Sequence, residues 1–178
     1  MSLLTQAELA AFAGVEAGHP RLEAAAESAE ALVAAWLGTA SLTARQVTCE
    51  IVPPRRRRLL ELPEGPLSAL SSVEVDGAAL APEGFTARPW AVSRASGFRA
   101  GVPVTLSWQS GWGDGPGEVP LPDAIRQALR LVAGSLLGRG ADLSREEERL
   151  GDQQVTRRLQ GQGLPGEARL LLRPWRKP

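Results

Sequence analysis

The chain has 178 residues, of which 43% are hydrophobic, and it carries 20 acidic and 20 basic side chains. This length and apolar fraction fit one domain, or one domain with an inserted lobe, and they exclude global disorder. The zero net charge argues against a dedicated nucleic-acid-binding protein, because such proteins carry a clear basic excess.

The scarcity of reactive side chains limits the chemistry that we expect. Cys49 and His19 are the only residues of their types, which excludes an internal disulfide and a zinc site built on cysteines or paired histidines. We therefore expect no catalytic, cofactor-binding or metal-binding residues and no enzyme activity. No apolar run approaches the roughly 20 residues that span a bilayer. No signal peptide is evident either, so we expect a soluble chain made in the cytoplasm, without membrane contact.

Two helices are predicted at the start of the chain. Thr5 and Glu8 have the spacing of a capping box, which predicts a short helix ending at Gly14. Over Arg21–Leu37 apolar and small residues recur with helical period, and Gly38 supplies a left-handed stop.

The middle of the chain has the pattern of strands. Val47, Cys49 and Ile51 alternate with polar residues, which is the period of a half-buried strand. Asp76-Gly77 predicts a hairpin turn. The run Gly111–Gly117 is interpreted as a connector, because it lacks the Gly-Lys-Ser/Thr of a phosphate-binding loop. We expect a small antiparallel sheet with strands at Gln46–Val52, Arg57–Leu62, Ser71–Val75, Phe85–Arg88, Trp90–Ser93 and Val102–Trp108.

Helical period returns after Pro122, and Gly138 or Gly140 is expected to end this third helix. Its apolar face matches that of the second helix in period, so we expect the two helices to pack together near Trp36. The polar stretch over residues 151–163 predicts an extended or mobile linker.

Four consecutive arginines, Arg55, Arg56, Arg57 and Arg58, form the strongest local charge of the sequence. They could bind nucleic-acid phosphates. Alternatively, two of them point outward from a strand while the others pair with acids at an edge or interface. The zero net charge favours the second interpretation.

The tryptophans are expected to be core or interface anchors, except Trp112. Because Trp112 lies in the glycine-rich run, we expect its side chain to be exposed.

The C-terminus is unusual because it is apolar, whereas terminal residues tend to be polar and to fray. Pro165 opens a short helical turn, and an aliphatic and aromatic cluster follows. We expect this tail to engage a different subunit or another protein, and to be poorly ordered or differently packed in an isolated monomer. A tail folded back onto the chain's own helices is the alternative. The expected partner-binding residues are Leu171, Leu172, Arg173, Pro174, Trp175 and Arg176.

Five segments together form a pattern that spans nearly the whole chain. They are Leu22–Leu32, Val104–Trp112, Pro120–Ala128, Leu150–Thr156 and Leu164–Arg176. The closing Leu-Leu-Arg-Pro-Trp-Arg is the most specific piece. The pattern resembles the head–tail connector (adaptor) proteins of tailed bacteriophages, prophages and gene-transfer agents.

Two features depart from that family pattern. Trp108, Gln153 and Trp175 stand where the family often has tyrosine. The insertion Gln46–Gln109 is also larger than in the minimal, all-helical members, so its role cannot be carried over from them.

The resemblance implies a structural component of the virion, located at the head–tail junction after synthesis in the bacterial host cytoplasm. It implies a ring of about twelve copies beneath the portal, with cyclic symmetry. The tail would then dock on the portal or on a neighbouring copy. The expected partners are the portal protein, tail-side proteins and further copies of this chain. DNA would pass through the ring without sequence-specific binding, and no reaction or cofactor is implied.

The sequence thus predicts an α+β fold, a small helical core with an inserted antiparallel β lobe and an extended C-terminal tail. The expected division is residues 1–45 for the N-terminal helices, 46–117 for the β lobe, 118–140 for a core helix and 141–178 for linker and docking tail. Two functions remain open: a structural connector, and a β-lobed binding module or regulator that contacts nucleic acid through Arg55–Arg58.

Overall fold

A computed structural model of the chain describes residues 3–149 and 164–177, and of residues 139–149 it describes the helical backbone alone. The predicted linker over residues 151–163 lies outside the described residues. The helices and strands are α1 Gln6–Ala13, α2 Leu22–Leu37, β1 Arg45–Ile51, β2 Arg57–Glu61, β3 Leu67–Val75, β4 Ala78–Leu80, β5 Phe85–Arg88, β6 Ala91–Phe98, β7 Val104–Ser110, α3 Asp123–Arg149 and α4 Gly166–Leu172, with 3-10 turns at Pro82–Gly84 and Arg173–Trp175.

The architecture confirms the predicted α+β class, with helices and two antiparallel sheets. The chain divides into two compact units. The helical unit comprises Met1–Val33 and Pro122–Pro174, and the β unit comprises Ala34–Leu121 and Trp175–Pro178. The four-part division drawn from the sequence stays a prediction. In the part of the chain that the structure describes, no helix combines the length and the hydropathy needed to cross a bilayer.

In the helical unit, α1 begins with the predicted capping box. The Thr5 side chain accepts a hydrogen bond from the Glu8 amide, and the Glu8 carboxylate accepts one from the Thr5 amide at 3.0 Å. Gly14 ends the helix in the left-handed conformation, with φ of 67°. The same carboxylate also forms salt bridges of 3.0 Å to both Arg126 and Arg130 of α3. Glu8 therefore both caps α1 and attaches it to α3.

These bonds stabilise the ionised form of Glu8. The Thr5 backbone N–H has the largest effect, and together with the Thr5 hydroxyl, Arg126 and Arg130 it lowers the pKa of Glu8 from 4.5 to about 2, against the opposing effect of burial. A carboxylate with a depressed pKa in the folded state stabilises the fold above its unfolded pKa, and this contribution is lost as the pH falls through the folded value.

Helix α3 is longer than the sequence predicts. It continues to Arg149, so neither Gly138 nor Gly140 ends it. Gly138 does not adopt the left-handed conformation of a helix stop, and a glycine inside a helix costs only about 1 kcal/mol relative to alanine. Helix α3 contacts α1 and α4, and its expected packing on α2 stays a prediction. Gly134 supports the contact with α1, since an added Cβ would lie 3.2 Å from the Phe12 ring.

The β unit contains two antiparallel sheets. Strands in the first have the order β1-β7-β3-β4, and those in the second have the order β2-β6-β5. Asp76 and Gly77 form the predicted hairpin turn between β3 and β4, with φ of 55° and 74°. Alternate residues of the strands face one hydrophobic core, as period-2 patterning requires. The buried core residues are Leu60, Leu62, Leu67, Val73, Val92, Phe98, Val104, Leu106 and Trp108.

Trp112 is buried, with 1% of its surface exposed, so its predicted exposure is wrong. Its amide donates to the Leu42 carbonyl at 2.8 Å, and its carbonyl accepts from the Ala44 amide at 2.8 Å. Gly111 permits this pairing, because it has φ of 80° and an added Cβ would lie 2.5 Å from the Leu42 carbonyl oxygen. Gly111 thus allows the close backbone approach of the Leu42–Ala44 segment next to the buried indole.

We predict that Glu8→Gln lowers the free energy of unfolding at pH 7 by about 1–2 kcal/mol, because the variant loses two charge-assisted bonds and weakens a helix cap. The difference from the wild type should shrink as the pH falls from 4.5 towards 2, where Glu8 itself becomes protonated. Urea denaturation followed by circular dichroism at several pH values measures this. Glu27→Gln, which removes an exposed carboxylate from α2, is the control. Equal losses in the two variants at pH 7 would contradict the prediction.

Candidate docking site at the C-terminus

Helix α4 is folded into the helical unit. Ala168 and Leu172 have no exposed surface, and their i, i+4 spacing places both on one face. This helix packs on α3. Leu164, which precedes α4, is also buried, and its carbonyl accepts a hydrogen bond from Arg169 Nε at 2.8 Å.

Trp175 is anchored in the β unit by two aromatic neighbours. Its indole meets the ring of Trp112 edge to face, with 5.5 Å between centroids and 85° between planes. Its carbonyl oxygen accepts a hydrogen bond from Trp90 Nε1 at 2.7 Å. An indole N–H taken out of water needs an acceptor, and the chain's own C-terminal backbone provides it.

The two residues after Trp175 extend the same attachment. The guanidinium of Arg176 lies 5.1 Å from the centroid of Trp36, within the range of a cation–π contact. Lys177 donates its backbone N–H to the Leu37 carbonyl at 3.1 Å and places its ammonium 5.2 Å from the centroid of Trp90. We call Trp175, Arg176 and Lys177, together with these four contact residues (Trp36, Leu37, Trp90 and Trp112), the C-terminal clasp.

The C-terminal clasp also shows where Trp36 lies. Trp36 belongs to the β unit and is half-buried beneath Arg176, and its expected place near a contact between α2 and α3 stays a prediction. Truncating a half-buried indole lowers the free energy of unfolding by less than truncating a fully buried core side chain does.

The prediction of an extended tail is therefore wrong for the single chain. The alternative, a tail folded back onto the chain itself, is what the structure shows. Leu172 is buried, and Leu171 and Trp175 are half-buried. Leu170, which is not among the expected partner-binding residues, is 70% exposed. The helical period predicts this exposure, because Ala168 and Leu172 lie on the inner face of α4 and Leu170 lies on the opposite face.

Leu170, Arg173 and Pro174 form the outward side of this segment. Their i, i+3, i+4 spacing places them on one side of the α-helical and 3-10 turns. All three are exposed. We call these three residues the docking stripe. It offers one large apolar side chain, a proline and a guanidinium, which is the composition of a small interface with a polar rim.

A groove of about 540 Å³ lies beside the clasp in the β unit. Its walls combine apolar side chains with two carboxylates and the ammonium of Lys177. The lining residues are Cys49, Glu50, Ile51, Val52, Glu61, Leu62, Pro63, Trp90 and Lys177.

The four consecutive arginines lie at the start of β2 and in the bend before it. Arg55, Arg56 and Arg58 are exposed, while Arg57 is half-buried. Arg56 Nη2 donates to the Ser96 carbonyl at 3.1 Å. Among the described residues none of the four forms an ion pair, so the expected pairing with acids at a strand edge is not found there. Pairing with acids at an interface stays a prediction.

The described part of the chain brings no three metal-ligating side chains together. His19 is half-buried in the loop before α2, where its Nδ1 accepts the Arg21 amide at 3.3 Å.

Comparison with known proteins gives a structural likeness only. No protein-family model and no curated protein matches the sequence. A chain in a structure of the virion of the native gene transfer agent particle is similar in fold, with a TM-score of 0.51 and 16% identity, covering 99% of this chain and 90% of that chain. This likeness shows the fold.

Two chains from neck structures of gene transfer agent particles were also found. One, from an empty particle computed with C6 symmetry, has a TM-score of 0.49 and 17% identity, covering 99% of this chain and 90% of that one. The other, from a native particle computed with C12 symmetry, has a TM-score of 0.44 and 17% identity. It covers 88% of this chain and 81% of that one. These scores are too low to carry an argument.

We predict that Trp175→Ala lowers the free energy of unfolding of the isolated chain by about 2–3 kcal/mol. Trp175 is half-buried, and its removal deprives Trp112 of its ring neighbour. Deleting residues 170–178 should reduce stability further, since that removes Leu172 and the acceptor for Trp90. Calorimetry of the purified chain measures both effects. Arg173→Ala, at an exposed position, should leave stability within about 0.5 kcal/mol of the wild type. A truncated chain that melts at the wild-type temperature would show that the tail is independent of the fold.

Proposed function

We propose that this protein is a structural head–tail connector (adaptor) of a tailed phage, a prophage or a gene-transfer agent. In this role it forms a ring beneath the portal, joins the capsid to the tail and lines the DNA channel. The observation that carries the proposal is the shared fold with a chain of a gene transfer agent virion, which extends over 99% of this sequence. The short motifs that resemble connector proteins supply independent support from the sequence.

The chemistry of the chain fits a role in assembly. The C-terminal clasp stabilises the chain by aromatic and cation–π contacts. The docking stripe remains at the surface of the helical unit, on the helix whose Ala168 and Leu172 are buried. A rigid presentation reduces the entropy that is lost when a partner binds. We propose that Leu170, Leu171, Arg173 and Pro174 contact the portal or an adjacent copy, while Leu172 and Trp175 hold them in position.

Cyclic assembly would follow if one surface of each copy binds a different surface of the next, because such heterologous contacts close into rings when the rotation is right. By resemblance to connector proteins we propose about twelve copies in the particle. Tail-side proteins would bind the opposite end of the ring, at the head–tail junction.

We predict that the purified chain forms rings with cyclic symmetry, either alone at high concentration or on addition of the portal protein encoded with it. Electron microscopy and native mass spectrometry would detect them. A chain that stays monomeric under both conditions would contradict the proposal.

We predict that Leu170→Glu weakens portal binding at least tenfold without changing the thermal midpoint, because Leu170 is 70% exposed and places its side chain in the docking stripe. Cosedimentation with purified portal rings measures the binding. Leu32→Glu adds the same charge at another exposed leucine, on α2, and serves as the matched control. If both variants bind the portal like the wild type, the docking stripe is not the contact.

A further inference from the structure

We propose that the β unit carries a binding surface for nucleic-acid phosphates, formed by Arg55, Arg56, Arg58 and Arg99. We call these four residues the basic tip. The proposal concerns this surface itself and does not depend on ring formation, so it can fail while the proposed function holds.

The fold of the second sheet brings the four arginines together. Arg57 of β2 is the antiparallel partner of Phe98 of β6, so the bend before β2 and the residue after β6 lie at the same end of the sheet. Arg56 reaches across to the Ser96 carbonyl, at 3.1 Å from its Nη2. Arg99, which directly follows Phe98, was not singled out from the sequence, because it is separated from the arginine run by forty residues of chain.

An irregularity in the β2–β6 pairing shapes the tip. The register shifts between Arg57 and Leu59, so that Arg58 lies where regular pairing is interrupted. Such bulges redirect side chains and increase the local twist. Gly97 makes room for the close approach, since it has φ of 74° and an added Cβ would lie 3.2 Å from the Arg57 carbonyl oxygen.

The charge of the basic tip is uncompensated within the described residues. The ion pair that the structure describes in the β unit joins Arg45 and Glu64, and none involves the tip. All four side chains are exposed. In contrast, the guanidinium of Arg94 in β6 forms a cation–π contact with the Phe85 ring, at 5.5 Å from its centroid. A chain of zero net charge thus concentrates four free positive charges in one place, where they attract an anionic partner.

The residue type favours phosphate as the ligand. Guanidinium groups present planar pairs of N–H donors that bind phosphate oxygens bidentately, and all four residues of the tip are arginine. Arg56 uses one Nη atom on Ser96, and its other donors stay available. The four residues supply guanidinium donors and no aromatic ring for base stacking, so the contacts should be with the backbone and independent of sequence.

The test uses the purified full chain and a labelled duplex of mixed sequence, about 30 base pairs long, so that several phosphates can be reached at once. Fluorescence anisotropy measures the dissociation constant between 50 and 200 mM NaCl. Each neutralised phosphate contributes about −0.9 to the slope of log K against log salt, so four contacts predict a slope of about −3.6.

The decisive variant is Arg55→Gln/Arg58→Gln, which should bind at least tenfold more weakly at low salt and with a slope shallower by about 1.8. Arg99→Gln alone should make the slope shallower by about 0.9. Arg21→Gln/Arg88→Gln removes the same charge from two exposed arginines elsewhere and should bind like the wild type. Circular dichroism verifies that each variant is folded.

Several outcomes would overturn the proposal. One is a wild-type chain that does not bind the duplex at 50 mM salt. Another is an equal loss in the two double variants, which would make the attraction a property of overall charge. A third is binding to a polyglutamate peptide but not to DNA, which would assign the basic tip to an acidic protein surface.

Discussion

The hydrogen bond from the Trp90 indole to the Trp175 carbonyl is the contact on which the order of the C-terminus depends. Trp90 is buried, so its N–H would lose an interaction with water that only another acceptor can replace. That acceptor comes from a residue 85 positions away, at the end of the chain. Once it is bound, the Trp175 ring reaches Trp112, and the two basic residues that follow reach Trp36 and Trp90.

This arrangement covers most of the apolar side chains of the C-terminal segment within a single chain. Residues that the sequence offers as interface anchors, Leu172 and Trp175, are used to complete the fold. The residues between them, Arg173 and Pro174, are exposed together with Leu170. If these exposed residues bind a partner as proposed, little order would have to be created on binding, because Leu172 next to them is buried.

Much of the fold follows from local patterns in the sequence. The capping box of Thr5 and Glu8, the strand alternation at Val47 and the Asp76-Gly77 turn depend on neighbours within a few residues, and all three predictions are confirmed. The third helix was predicted too short, because a glycine such as Gly138 weakens a helix only slightly when the turns around it continue to form.

The candidate site was harder to predict because its partners are distant in sequence. The positions of Trp112 and Trp175 depend on contacts with Leu42 and Trp90, and no periodicity reports such contacts. The glycines around Trp112 indicated a loop correctly, but glycine also permits the backbone approach that buries a side chain. Arg99 belongs to the basic tip for the same reason, since only the antiparallel pairing of β6 with β2 brings it there.

The clasp also determines what intrinsic fluorescence of this protein reports. The chain has no tyrosine and five tryptophans. Four of the tryptophans belong to the C-terminal clasp, and the fifth is Trp108. Indole emission depends on nearby charges, hydrogen bonds and water, and each of these changes at the clasp when Trp175 leaves it. The emission spectrum therefore responds to the attachment of the chain's last residues as well as to global unfolding. The protein carries its own optical probe of whether its C-terminus is bound to itself.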